Sequence, residues 1–195
     1  VDEAHATGIF GNKGEGKVVE LNLQEKVFAR IHTFGKALGC HGAIVLGSQV
    51  LRNFLINFSR SFIYTTALPI HSLSAIKSAY KLLKKSGKKI LYINNLVKIF
   101  RQNIEKHKLS EFGNSFSPIQ CLFSVGNINT KKISALIQKD GFDVRPVLSP
   151  TVPKGKERVR ICLHAFNTEQ ELNGLIISIV KNQKKIIPVS KNIVS

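Results

Sequence analysis

Apolar positions change period along the chain, and the changes predict its elements. KVFARI (26–31) alternates and runs into HTFGKALG, which predicts a strand ending in a loop. HGAIVLG (41–47) is a short apolar run between glycines and predicts a buried strand. From Ser48 the period becomes helical. Apolar residues at 50, 51, 54, 55 and 58 form a stripe, with Ser48 as its N-cap. FIYTTALP (62–69) reads as a strand stopped by Pro69. Residues 71–89 predict a helix ended by Gly87, and 90–109 a second, longer helix. EFGNSFSP is a loop, and IQCLFSVG (119–126) a strand. NTKKISALIQKDG (129–141) reads as a helix capped by Asn129 or Thr130 and stopped by Gly141. FDVRPVLSP (142–150) and RVRICLHAF (158–166) read as strands joined by TVPKGKE. A last amphipathic helix covers 167–185, opened by Thr168 and Glu171 as a capping box, with an extended or frayed tail from Ile186.

This order makes an α/β chain. Residues 1 to about 70 read as part of a large sheet domain, and 71–195 as a compact α+β domain with helices on one face of a small sheet. No internal repeat is visible. No apolar run is long enough to span a bilayer, and no stretch reads as a secretory signal. Cys40, Cys121 and Cys162 are odd in number and far apart, with no CxxC pair. That fits reduced thiols and a cytoplasmic location, and it offers no zinc site.

Charge adds a second reading. The chain carries +17, and it is uneven: residues 1–72 hold seven Lys/Arg against five Asp/Glu, while 73–195 hold twenty-two against seven. Such a surplus suits nucleic acid, anionic lipid or phosphorylated substrates. The lysines fall in scattered pairs, such as Lys84-Lys85 and Lys131-Lys132, which equally fits a solvated helix surface. A nucleic-acid-binding module would also want interleaved aromatics or a helix-turn-helix pattern, and neither is present.

The opening stretch, VDEAHATGIFGNKGEGK, contains the letters DEAH and a near-match to a phosphate loop. As a nucleotide-driven motor it fails. Gly11, Gly16 and Lys17 fit G-x-x-x-x-G-K-[ST], but Val18 stands where a hydroxyl must ligate magnesium. The loop also comes after the acidic motif instead of preceding it. An Asp at a strand end with His three residues on suits a heteroaromatic cofactor better. A carboxylate keeps a pyridine nitrogen protonated, and the protonated ring is an electron sink. Such chemistry needs a lysine for a Schiff base. Lys36 lies between Gly35 and Gly39, three residues after Thr33, whose hydroxyl suits a phosphate. Taken singly, each residue has a plainer reading: a turn pair for Asp2 and His5, a solvated cation for Lys36, β-formers for Thr65 and Thr66, a surface charge for Arg158, and a packed strand residue for His164. Cys40 beside His41 makes a poor dyad, because neighbouring strand residues point to opposite faces.

Taken together, VDEAHATGIFGNKGEG, HTFGKALGCHGA, RSFIYTTALP and PTVPKGKERVRICLHAFNT, in that order, resemble the α-oxoamine synthases. These are pyridoxal 5'-phosphate enzymes that condense an amino acid with an acyl thioester. The resemblance covers most of the chain. It implies the α/β fold of fold-type-I pyridoxal-phosphate transferases, with the C-terminal part of the large cofactor domain in 1–70 and the small α+β domain in 71–195. It implies that Lys36 is the Schiff-base lysine, Asp2 the partner of the pyridinium nitrogen, His5 a contact of the phenolic oxygen and Thr33 a phosphate ligand. Thr65 and Thr66 fall where the family reaches the phosphate of a neighbouring subunit, so a homodimer with a shared active site is implied. Arg160 falls where the substrate carboxylate is held, and Thr151 at a substrate contact. The branch it most resembles joins L-alanine to a pimeloyl thioester, on coenzyme A or a carrier protein, with loss of carbon dioxide, in biotin biosynthesis. A sibling synthase with another amino acid or acyl donor is the nearest alternative. The family is about twice this length. We therefore expect these residues to be the C-terminal portion of a larger chain that, alone, binds the cofactor poorly.

Overall fold

The computed structural model describes residues 1–183, so Lys184, Lys185 and the expected tail lie outside the described residues. The chain divides into two compact units, the first Val1–Leu91 and the second from Tyr92 on.

In the first unit, α1 (Lys17–Glu20) precedes β1 (Ala29–Thr33) and β2 (Ala43–Gly47), which pair antiparallel with Ile31 opposite Val45. Asp2 bridges Ile31 in parallel, so the N-terminal residues lie along the other edge of β1. Helices α2 (Gln49–Phe58), α3 (Arg60–Ile63) and α4 (Ile70–Leu83) come next. Ser48 caps α2 as expected, its hydroxyl accepting from Leu51 N at 3.2 Å. The core here is small: Ala4, Val18, Phe34, Leu38 and Ile90. Tyr80 of α4 meets Phe34 edge-on, with centroids 6.0 Å apart.

Three expectations for this unit are corrected. HGAIVLG forms β2, but Ile44 and Val45, on opposite faces of the strand, are both exposed, because the described residues offer a two-stranded sheet that is covered on neither face there. FIYTTALP is not a strand. The Ser59 carbonyl accepts from Phe62 N and Ile63 N, which starts a helical turn, and the described residues offer no neighbouring strand with which residues 64–69 could pair. Gly87 does not end a helix. Helix α4 stops at Leu83, and Gly87 opens α5 (Gly87–Lys106) after a tight Lys84–Ser86 turn.

The second unit holds the main core. Strands β3 (Ile119–Phe123), β4 (Arg145–Val147) and β5 (Arg158–Cys162) form an antiparallel sheet in the order β3-β5-β4. Alternation puts Leu122, Val159 and Ile161 on one buried face. They join Ile93, Leu96, Val97, Phe100 and Ile104, an i, i+3, i+4 stripe on α5, and the inner faces of α6 (Asn127–Lys139) and α7 (Glu169–Gln183). The capping box is present: Thr168 N donates to Glu171 at 2.8 Å, and Glu171 N donates to the Thr168 hydroxyl at 3.1 Å. Asp140, just past α6, accepts from Ser178 and Asn182 at 2.8 Å each and from Lys181 at 3.1 Å, tying α6 to α7. Helix α6 starts two residues earlier than expected, at a Gly126 N-cap. Thr130 sits inside it, its hydroxyl donating back to the Ser124 and Gly126 carbonyls rather than capping. His164 lies beyond β5, exposed and stacked on Phe166, so it is not a packed strand residue.

Candidate active site

The residues of the opening motif form a tight turn held against β1. Ile31 N donates to Val1 O at 2.9 Å, and Glu3 N donates to Ile31 O at 2.8 Å. Asp2 Oδ1 accepts from Ala4 N at 2.7 Å, which fixes its carboxylate at the start of the turn. Asp2 and His5 are both exposed. Glu3, in contrast, is 1% exposed. Its two oxygens accept from Lys17 N and Val18 N, each at 2.8 Å. The carboxylate thus caps the first turn of α1, where helix N–H groups are otherwise unpaired. The space is so tight that a Cβ on Gly16 would meet the Glu3 carboxylate at 2.7–2.9 Å. The loop that resembled a phosphate site is therefore filled by the chain's own carboxylate.

The lysine loop runs from β1 to β2. Phe34 N donates to Gly42 O at 2.9 Å and Cys40 N to Phe34 O at 2.8 Å, closing the loop at its neck. Phe34 and Leu38 are buried and anchor it, which leaves Gly35, Lys36 and Ala37 exposed at its tip. Gly8, in the opening turn, has φ +80, and a Cβ there would lie 2.6 Å from Ala37 Cβ. The structure thus brings the DEAHATG turn against the loop that carries Lys36. The Thr33 hydroxyl, at the end of β1, is buried with no hydrogen-bond partner among the described residues. A buried hydroxyl without a partner is costly unless something supplies one. A phosphate bound at the end of β1 would supply it, so Thr33 fits the phosphate of pyridoxal phosphate.

Sequence reasoning missed a buried triad behind this surface. Thr7 Oγ1 lies 2.8 Å from the Glu3 carbonyl and 2.8 Å from His32 Nδ1. A carbonyl only accepts, so the single hydroxyl proton of Thr7 goes to Glu3 O, and the His32 Nδ1–H donates to Thr7. His32 Nε2 is buried without a partner among the described residues. Burial lowers the His32 pKa. Glu3 acts against that shift, and Arg30 adds to it. The unfolded chain takes up this proton near the ordinary value of about 6.5, whereas the folded chain resists it. Stability from His32 is therefore full above that pH and lost as pH falls through the lowered value. We expect melting of the wild type to fall between about pH 7 and pH 5 more steeply than melting of His32→Leu. Parallel slopes would show that His32 does not contribute.

Thr65 and Thr66 are exposed in the irregular segment between α3 and α4. Thr151 and Arg160 belong to the second unit. Thr151 is exposed in the turn after Ser149 and Pro150. Asn127, at the start of α6, clamps that turn: its Oδ1 accepts from Ser149 N at 3.0 Å, and its amide donates to Ser149 O at 3.1 Å. Glu157, buried, accepts from Gly126 N and Gly155 N at 3.1 and 2.9 Å and fixes the PKGKE loop. Neither Asn127 nor Glu157 stands out in the sequence. The two arginines of RVR differ. Arg158 lies over the Phe123 ring at 5.1 Å and donates to Lys156 O at 3.0 Å. Arg160 is exposed mid-strand, in register with Cys121 and with Arg145. Arg145 pairs with Asp143 at 2.8 Å, while Arg160 has no carboxylate partner among the described residues.

Residues 1–179 match the family model for aminotransferase class I and II. Over 189 residues the chain is 46% identical to 8-amino-7-oxononanoate synthase of Emericella nidulans, covering 92% of this chain and 45% of that protein. It is 34% identical to an aminoacyl transferase of Byssochlamys spectabilis, covering 98% of this chain and 44% of that one. Among solved structures it resembles 8-amino-7-oxononanoate synthase of Francisella tularensis, with TM-score 0.85, 25% identity, and coverage of 95% of this chain and 54% of that one. A serine palmitoyltransferase of Sphingomonas wittichii, 19% identical, shares the fold with TM-score 0.83 over 95% of this chain and 47% of that one. The chain spans about half the length of the curated relatives it matches.

Proposed function

Because this chain belongs to the aminotransferase class I and II family, we propose that it carries the lysine side of a pyridoxal-phosphate-dependent acyltransferase site of the 8-amino-7-oxononanoate synthase kind. Its fold is that of the fold-type-I pyridoxal-phosphate transferases. The observation that carries the proposal is the packing of the DEAHATG turn against the lysine loop at Gly8 and Ala37, next to the Thr33 hydroxyl, which has no hydrogen-bond partner among the described residues. When bound, pyridoxal phosphate supplies an electron sink for a carbanion at the amino-acid α-carbon. This chain's residues supply the rest. The Asp2 carboxylate holds a proton on the ring nitrogen by its opposite charge. His5 offers a hydrogen bond to the ring oxygen, and Thr33 one to the phosphate. Lys36 would be the covalent attachment point, and its free amine would take the proton from the substrate α-carbon as general base. Arg160 presents a guanidinium fork to the substrate carboxylate, and Thr151 contacts the substrate.

The substrates we propose are L-alanine and a pimeloyl thioester, joined with loss of carbon dioxide in biotin biosynthesis. The identity to the Emericella nidulans protein supports this choice over a sibling synthase. The basic surface of the second half suits the phosphates of coenzyme A or an acidic carrier protein. We propose a cytoplasmic homodimer, with Thr65 and Thr66 reaching the partner's phosphate. No helix among the described residues is long and apolar enough to cross a membrane. We propose that the small domain starts in sequence near residue 70, with α4 packed on the first unit through Tyr80 and Phe34. The test is borohydride reduction of the intact protein with pyridoxal phosphate, then peptide mass mapping. A reduced phosphopyridoxyl group on Lys36 is expected, and its absence from the intact protein overturns the reading.

A further inference from the structure

We propose that His32, acting through Thr7, is a positioning residue that aligns the Asp2–His5 turn with the strand leading to Thr33 and Lys36. This rests on the cofactor reading of the site. The two halves of that site come from segments about thirty residues apart in sequence, and their relative placement must be fixed within about half an ångström for chemistry. Backbone bonds between Val1–Glu3 and Ile31 fix the start of the turn. The turn then leaves β1, and within it His5 and Gly8 are carried by residues with no ladder partner. Thr7 is the one side chain of the turn that reaches back to β1 by a hydrogen bond among the described residues, and His32 is its partner there.

The bond is built for precision. His32 is 4% exposed and Thr7 3% exposed. The Thr7 hydroxyl is committed on both sides, donating to the Glu3 carbonyl and accepting from His32 Nδ1–H, at 2.8 Å each. Strand alternation puts the side chains of His32 and Thr33 on opposite faces of β1. The imidazole therefore does not compete for the phosphate side. It grips the turn from behind, and a shift of the turn must pull on the strand that carries Thr33. The same turn touches the lysine loop at Gly8 and Ala37, so loosening the Thr7–His32 bond frees the position of both partners.

The test compares pyridoxal-phosphate dissociation constants of the intact protein for wild type, Thr7→Val, His32→Leu, the Thr7→Val/His32→Leu double variant and His32→Asn, with apo-protein melting as a second readout. We expect each single variant to weaken cofactor binding about tenfold, the size of one buried hydrogen bond to a neutral group. The double variant should be no weaker than either single one, because both remove the same bond. His32→Asn, whose side-chain amide can donate to Thr7, should recover most of the affinity. A residue with a merely structural role would lower the melting temperature and leave cofactor affinity alone, and that result overturns the proposal. So do independent, additive losses in the double variant. Thr7→Ser, which keeps the hydroxyl, guards against a folding artefact: it should bind as wild type does, and a tenfold loss there sinks the idea. If the wild type itself holds no cofactor, the reading of the site falls, and this proposal falls with it.

Discussion

Replacing Lys36 with Ala should abolish activity of the intact protein, lowering kcat by at least about a thousandfold, as expected for losing both nucleophile and general base. The loop itself should survive the change. Lys36 is exposed at its tip, and the loop is held by the buried Phe34 and Leu38 and by backbone bonds at its neck. The melting temperature should therefore stay close to that of the wild type. Lys36→Arg separates chemistry from charge. A guanidinium keeps the positive charge but does not give up its proton at working pH. It should be as inactive as Ala, and the borohydride-trapped adduct should vanish in both variants. An active Lys36→Arg would remove Lys36 from the chemistry, and a trapped adduct at another lysine would move the site.

The second large effect should come from Gly8→Ala. Two costs add at this position. A positive φ is unfavourable for an L residue by roughly 1–2 kcal/mol, and Gly8 sits at φ +80. The new Cβ would also lie 2.6 Å from Ala37 Cβ, so one of two short segments must move. Overpacking of this kind costs about 1–3 kcal/mol. Neither contact atom is the far end of a flexible side chain, which leaves the backbone to yield. Gly39→Ala is the matched control: its φ is +60, but a Cβ there meets nothing within 4 Å. Urea unfolding should show Gly39→Ala losing only the backbone cost and Gly8→Ala losing clearly more. Cofactor affinity should fall for Gly8→Ala, because the displaced neighbour is the residue after Lys36. Equal losses for the two glycines would mean the turn and the lysine loop do not press on each other.

Legibility in the sequence tracks the range of the forces involved. The Thr168–Glu171 capping box, the Ser48 cap and the stop at Gly141 depend on residues within four positions, and all three are present. Strands β3 and β5 were legible because alternation survives when one face is buried. Residues 62–69 misled because Phe, Ile, Tyr and Thr favour strands only where a ladder is available, and Ser59 starts a helical turn instead. The run AIVLG correctly gives a strand, but its exposure depends on the elements that pack over it, which no local window contains. The candidate site shows the same division. Lys36, Thr33, Asp2 and His5 are carried by compact motifs. Glu3, Thr7 and His32 act over separations of 14 to 25 residues, where neither spacing nor composition leaves a trace.

The fit between Glu3 and Gly16 has a consequence for how this sequence can change over time. The carboxylate fills the space where a side chain at position 16 would go, and it satisfies N–H groups that only an acceptor can satisfy. A larger residue at 16 expels the acid, and a neutral apolar residue at 3 leaves the Lys17 and Val18 N–H groups unpaired. Each step alone is costly, and at φ +109 position 16 favours glycine whatever stands at 3, so a lineage that keeps this turn keeps both residues.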